Sequence, residues 1–180
     1  RQQRIKVVNS VLGDQTSIQS ANGVETVPSP DDLKSYTVDP QLPRYLRMSS
    51  LNIWSRIRTI EALDLNTVAA PTSVFDVGWY SLSEKPGANS GTTVLIAHSA
   101  GPTSHGVFWD LNKMTVGQIF EVEKGSGEII HYKVKKVGKI SASELDGKKL
   151  LADQSQTVHQ IKLVTANDTF DRATGAYAEP

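Results

Sequence analysis

Histidine is the residue through which this chain could move a proton near neutral pH, and it occurs four times, with no cysteine anywhere in the 180 residues. His98 closes the apolar run Val94-Leu-Ile-Ala97 and is followed by Ser99. His105 lies in a loop rich in Gly, Ser and Thr, His131 on a polar strand face between lysine-bearing positions, and His159 just before a strand. Acyl transfer needs a nucleophile, a group that exchanges a proton with it, and a donor for the developing oxyanion. Any of the four could in principle serve the proton step. A strand-end histidine taken alone is more often structural, His131 reads as a solvated residue, and His159 reads as incidental. Three inward histidines or carboxylates at ligand spacing are not visible, so the reading includes no metal and no other cofactor.

The elements that must hold these residues are strands. Tyr45, Arg47 and Ser49 alternate with Leu46 and Met48, and Ile130, Tyr132 and Val134 alternate with His131, Lys133 and Lys135. Strands are expected near 44–49, 52–58, 74–80, 92–98, 117–123, 128–138 and 160–166. Gly125-Ser-Gly127 between two of them signals a hairpin. Helical periodicity is scarce. Phe108, Leu111 and Met114 could share one face of two turns, another short helix fits from about Ser143 to Leu151, and Ser29 could cap a third over 29–38, with Pro30 at its first position. Residues 1–42 are polar and interrupted by Gly13-Asp14, Asn22-Gly23, Pro28-Ser-Pro30 and Asp39-Pro40, so they read as an extension to a domain spanning 43–180. Short strands separated by turn signals favour a barrel or sandwich, and a mostly antiparallel barrel is expected over 44–180.

Composition narrows the partners. Nineteen basic residues balance nineteen acidic ones, and no basic stripe carries interleaved aromatics, which disfavours nucleic acid. Apolar runs are far shorter than the ~20 residues of a spanning helix.

Several segments, taken in order, resemble the sortase family of cysteine transpeptidases. His98-Ser-Ala-Gly101 at a strand end precedes Phe108-x-x-Leu111 and Met114-x-x-Gly117, and Lys162-Leu-Val-Thr165 leads into Ala166 where that family has Thr-Leu-x-Thr-Cys. Phe170-Asp-x-Ala-Thr-Gly175-x-Tyr177 is similar to the turn after the family's cysteine, and Leu42-Pro-Arg-Tyr45, Val77-Gly-Trp-Tyr80 and Lys85-Pro-Gly87 share the family's style. The resemblance implies a mainly β fold, an eight-stranded β-barrel with a few short helices and an N-terminal extension. It implies cleavage of a sorting signal like Leu-Pro-x-Thr-Gly and transfer of the acyl group to an amine, such as a cell-wall precursor or a pilin lysine. His98 would be the acid, position 166 the nucleophile's place, and Thr165, Ser99 and His105 would line the peptide site. The family's arginine would hold the oxyanion. Arg172 is the one arginine after position 166, and it stands earlier than the family's, which leaves an arginine beyond Pro180 as the other candidate.

With Ala166 in place the chain reads as an inactivated form of such an enzyme, its cysteine replaced. A natural peptide-binding barrel without catalysis is the alternative. The family implies the extracellular face of a bacterial membrane, held there by an anchor outside these residues. Residues 141–156 are expected to wall the peptide groove or to be an exposed connector. The extension is expected to dock in part, through the 29–38 helix and one strand, as a spacer or as a lid.

Overall fold

The computed structural model describes residues 2–10, 25–66, 68–140, 146–152, 156–166, 169–171 and 176–178. Ten strands run in chain order: β1 (Gln2–Ser10), β2 (Pro43–Met48), β3 (Ile53–Ile60), β4 (Val77–Tyr80), β5 (Gly91–Ile96), β6 (Ile119–Lys124), β7 (Ile129–Ile140), β8 (His159–Ala166), β9 (Thr169–Asp171) and β10 (Ala176–Ala178). The first eight close a barrel in the order β1-β7-β6-β2-β3-β4-β5-β8, with β1 also paired to β8, and β9 and β10 form a separate hairpin-like pair.

The fold is mainly β, as expected, but half of the barrel's neighbour pairs are parallel rather than the barrel being mostly antiparallel. β1 runs parallel to β7 and β8, β3 to β4, and β5 to β8. The antiparallel expectation came from hairpin signals, which report only on strands joined by tight turns. Such a turn does join β6 to β7: Lys124 N–H donates to Glu128 O at 2.8 Å and Gly127 takes φ +89°, a left-handed conformation that glycine adopts without strain.

Alternation explains which face each strand buries. Leu46, Met48, Ile57, Trp79, Leu95, Phe120, Val122, Tyr132, Ile161 and Leu163 fill the barrel. On the outer side, Val94, Ile96 and Val164 pack with Tyr80, Val68 and Leu150, so β5 is covered on both faces and every one of its residues is buried. Leu150 arrives on α2 (Gly147–Leu151), whose Asp146 cap accepts from Lys149 N–H at 2.8 Å. Of the expected 141–156 segment, 141–145 and 153–155 lie outside the described residues, and the helix between them roofs the outer face of β5 and β8.

The two-turn helix expected over 108–114 is a shorter 3₁₀ turn, Leu111–Lys113. Phe108 N–H is already taken by His98 O at 3.1 Å, and the next bonds close over three residues, Leu111 N–H to Phe108 O and Met114 N–H to Leu111 O. Phe108, Leu111 and Met114 still bury together. α1 (Pro30–Ser35) is also shorter than 29–38, because Tyr36 turns extended to send its hydroxyl to Ile57 O at 2.6 Å. Its start follows the sequence: Ser29 Oγ accepts from Asp32 N–H and Asp32 returns a bond to Ser29 N–H, a complete capping box.

His159, read as incidental, is buried at the start of β8 in a polar chain inside the barrel. Ser90 O lies 3.3 Å from its Nδ1, and a carbonyl can only accept, so Nδ1 carries the proton and Nε2 accepts from the Tyr132 hydroxyl at 3.0 Å. Tyr132 in turn accepts from Gly87 N–H, and burial pushes its ionisation well above the ordinary range, so it remains a donor. Tyr132→Phe should therefore leave His159 Nε2 with only the Thr93 hydroxyl, 3.3 Å away and engaged with Glu84 O, and cost about 1–3 kcal/mol, read as a lower denaturation midpoint with unchanged slope.

Candidate functional site

Two strands bring the candidate residues to one place. β5 and β8 pair in parallel with Gly91 opposite His159 and Ile96 opposite Val164, an offset of 68 residues. Ala97 extends the pairing beyond the strand: its N–H donates to Val164 O at 3.2 Å, and the Thr165 hydroxyl donates to Ala97 O at 2.8 Å across the same offset of 68. Positions 98 and 166 share that separation and stand just past the last paired residues, Ile96 and Val164.

His98 is 2% exposed. Its Nε2 lies 2.8 Å from Pro71 O, so Nε2 is the protonated nitrogen and Nδ1 carries a lone pair, buried with no hydrogen-bond partner among the described residues. Burial lowers the imidazole's pKa from its ordinary 6.5, the Pro71 bond opposing this, and the neutral form results. A buried neutral histidine with a bare nitrogen is a proton acceptor waiting for a donor. Ser99 is also buried, with an unpartnered hydroxyl beside it in sequence.

The loop after His98 is stitched back to it. Gly106 N–H donates to Ser99 O and Phe108 N–H to His98 O. His105 takes no part in that stitching through its ring: the ring is exposed and stacks on Trp109 with centroids 3.8 Å apart. Both line a cleft of 320 Å³ with Trp54, Phe75 and Val107. The structure thus brings Thr165 against Ala97, next in chain to His98 and Ser99, and puts His105 on the rim of a cleft. Arg172 lies outside the described residues.

Reasoning from sequence missed a buried ion cluster on the other side of β5. β4 pairs Gly78 with Ile96, and β3 pairs Ile57 with Val77 and Arg58 with Gly78. Asp76 immediately precedes β4, and Arg56 and Arg58 lie on β3. Asp76 is buried and accepts from Arg56 Nε at 2.9 Å and Nη2 at 3.3 Å, and from Arg58 Nε at 3.2 Å. These three residues line a 610 Å³ cleft together with Pro71, the residue whose carbonyl holds His98. No spacing in the sequence marks Asp76, since its partners come from a strand that pairs only in the folded chain.

His98 and His159 both titrate below 6.5 in the folded chain because burial disfavours the imidazolium. The unfolded chain therefore binds more protons between those depressed values and 6.5, so stability is full above pH 6.5 and declines as pH falls below it. Thermal melts between pH 7.5 and 5 should show this decline, and His159→Gln should flatten it. A melting temperature constant over that range would contradict the buried, neutral assignment.

No curated protein matches the chain. Among solved structures it is similar to sortase C1 of Streptococcus agalactiae, at 23% identity over 58% of this chain and 51% of that one, with a TM-score of 0.43. It is similar also to sortase C-1 of Actinomyces oris, at 22% identity over 57% and 53% with a TM-score of 0.43, and to sortase C of Clostridium perfringens SM101, at 23% over 59% and 50% with a TM-score of 0.38. The chain spans about half the length of these proteins. The Sortase domain family matches residues 46–178, which include β5, β8 and most of the barrel, and the chain belongs to that family.

Proposed function

We propose that residues 43–180 carry the catalytic residues of a sortase-type transpeptidase, with 1–42 an extension that lends strand β1 to the barrel, and that position 166 is where its nucleophile stands. The observation that supports this reading is the parallel pairing of β5 with β8 at a constant offset of 68 residues, carried on by the Thr165 bond to Ala97 O; continued one step further it would set position 166 beside His98. With cysteine at 166, neutral His98 would take the thiol proton through Nδ1 and the sulfur would attack a peptide carbonyl. The carbon–nitrogen bond would then break as His98 returned the proton to the leaving amine, and a second amine would resolve the thioester. Thr165, Ser99 and His105 would border the bound peptide, a signal like Leu-Pro-x-Thr-Gly. An arginine, Arg172 or one outside these residues, would hold the oxyanion.

The acceptor in this reading is an amine of a cell-wall precursor or a pilin lysine. The workplace is the extracellular face of a bacterial membrane. Among the described residues no helix is long and apolar enough to cross a membrane, so an anchor would be another segment. Residues 146–152 and their flanks would wall the groove.

Ala166 cannot attack, so the present chain would bind peptide without forming an acyl-enzyme. The absence of cysteine from all 180 residues favours a second reading, a peptide-binding barrel with no chemistry. Mass spectrometry of an Ala166→Cys protein incubated with sorting-signal peptides separates the two. A thioester adduct supports the transpeptidase, and peptide binding without any adduct supports the binding barrel.

A further inference from the structure

The loop that leaves His98 closes on itself between Gly101 and Ser104, where Gly101 N–H donates to Ser104 O at 2.8 Å. The Thr103 and Ser104 amides are left to point elsewhere, and both find one carboxylate. Each lies 2.8 Å from Glu25 Oε1, and the Thr103 hydroxyl donates to Glu25 Oε2. Two successive backbone amides with a hydroxyl beside them make an anion-binding nest, and their bonds to a charged oxygen are the stronger kind. Gly101 makes room for that oxygen: a Cβ there would come within 2.3 Å of Glu25 Oε1.

Glu25 reaches this nest from 78 residues away in sequence. From it, Thr26, Val27 and Pro28 run toward α1, and Val27 and Pro28 border both the 610 Å³ cleft beside Pro71 and the 320 Å³ cleft beside His105. Val27 is 70% exposed, so the crossing gains little from burial. Asp32 and Asp76 offset Arg56 and Arg58 in the larger cleft, which leaves no general attraction for anions. Preference for a carboxylate arises from the geometry of the nest.

We propose that the 101–104 loop is a recognition site for an acidic side chain of a peptide lying across this face, and that Glu25 is the internal occupant such a peptide displaces. The inference rests on the transpeptidase reading for the kind of peptide involved, and the nest itself does not depend on that chemistry. An occupant tethered in the same chain competes at an effective concentration on the order of millimolar. Removing its charge should therefore strengthen peptide binding by about tenfold or more.

The test is an NMR titration of the full chain, with Glu25 intact and with Glu25→Gln, using a blocked pentapeptide containing one glutamate and its glutamine twin. In the Glu25→Gln protein the glutamate peptide should shift the Thr103 and Ser104 amide resonances saturably, with an apparent Kd at least about tenfold lower than in the unsubstituted chain. The glutamine twin should leave those two resonances in place, and adding Thr103→Val should weaken the response. Equal shifts from the two peptides, or a well-dispersed Glu25→Gln spectrum in which neither resonance moves, would overturn the proposal. Thioester formation by Ala166→Cys is read separately: an adduct without nest binding removes the nest alone, and nest binding without an adduct removes the transpeptidase alone.

Discussion

Replacing His98 with alanine in an Ala166→Cys chain is expected to lower the rate of thioester formation by roughly 10²- to 10⁴-fold, the range in which a positioned proton-transfer group contributes. The expectation follows from the proposed nearness of positions 98 and 166, just past the paired ends of β5 and β8, and from the unpartnered Nδ1 of a neutral imidazole. The substitution also empties a buried site and removes the bond to Pro71 O, so the melting temperature should fall as well, and rates are compared at a temperature where both proteins are folded. Rapid-quench mass spectrometry with a sorting-signal peptide gives the rate, and calorimetry gives the stability. A loss of only a few-fold would take His98 out of the proton step.

Gly106→Ala in the same background should be the most damaging substitution outside the proposed chemistry. A Cβ at this position would stand 2.2 Å from His98 O and 2.8 Å from its carbonyl carbon, backbone against backbone, with no flexible side chain to swing aside. His98 has little freedom to retreat, since its carbonyl is held by Phe108 N–H and the preceding Ala97 by Val164 O. The loop must shift, at about 1–3 kcal/mol for overpacking. A displacement near 1 Å at the histidine is expected to cost about 10²-fold in rate. Gly127→Ala is the contrast: open space surrounds it, but its φ of +89° strains any other residue. It should cost about 1 kcal/mol in stability and leave the rate alone. Denaturant melts and peptide cleavage rates on the two variants, side by side, check both statements. Equal rates would mean that the loop does not position His98.

Much of the fold was legible from residues close together in the chain. The Ile130, Tyr132, Val134 alternation gave the buried face of β7, the Gly125–Gly127 turn gave its hairpin with β6, and Ser29-Pro30 with Asp32 gave the start of α1. Each depends on physics that acts over a few residues: pleat, turn conformation and capping bonds. The 68-residue separation of positions 98 and 166 was also plain in the sequence, although only the fold showed that β5 and β8 pair in parallel at that same offset.

Tertiary structure alone decided the rest. β5 is buried on both faces and so shows no alternation that would tell one side from the other. The direction of β1 against β7 and β8, the place of Asp76 between Arg56 and Arg58, the His159–Tyr132 chain and the seating of Glu25 all join residues separated by at least 18 positions. A hydrogen bond or ion pair of that kind exists only after distant strands have chosen each other. That choice is made by the total burial and polar pairing of the closed barrel, which no short window of sequence contains.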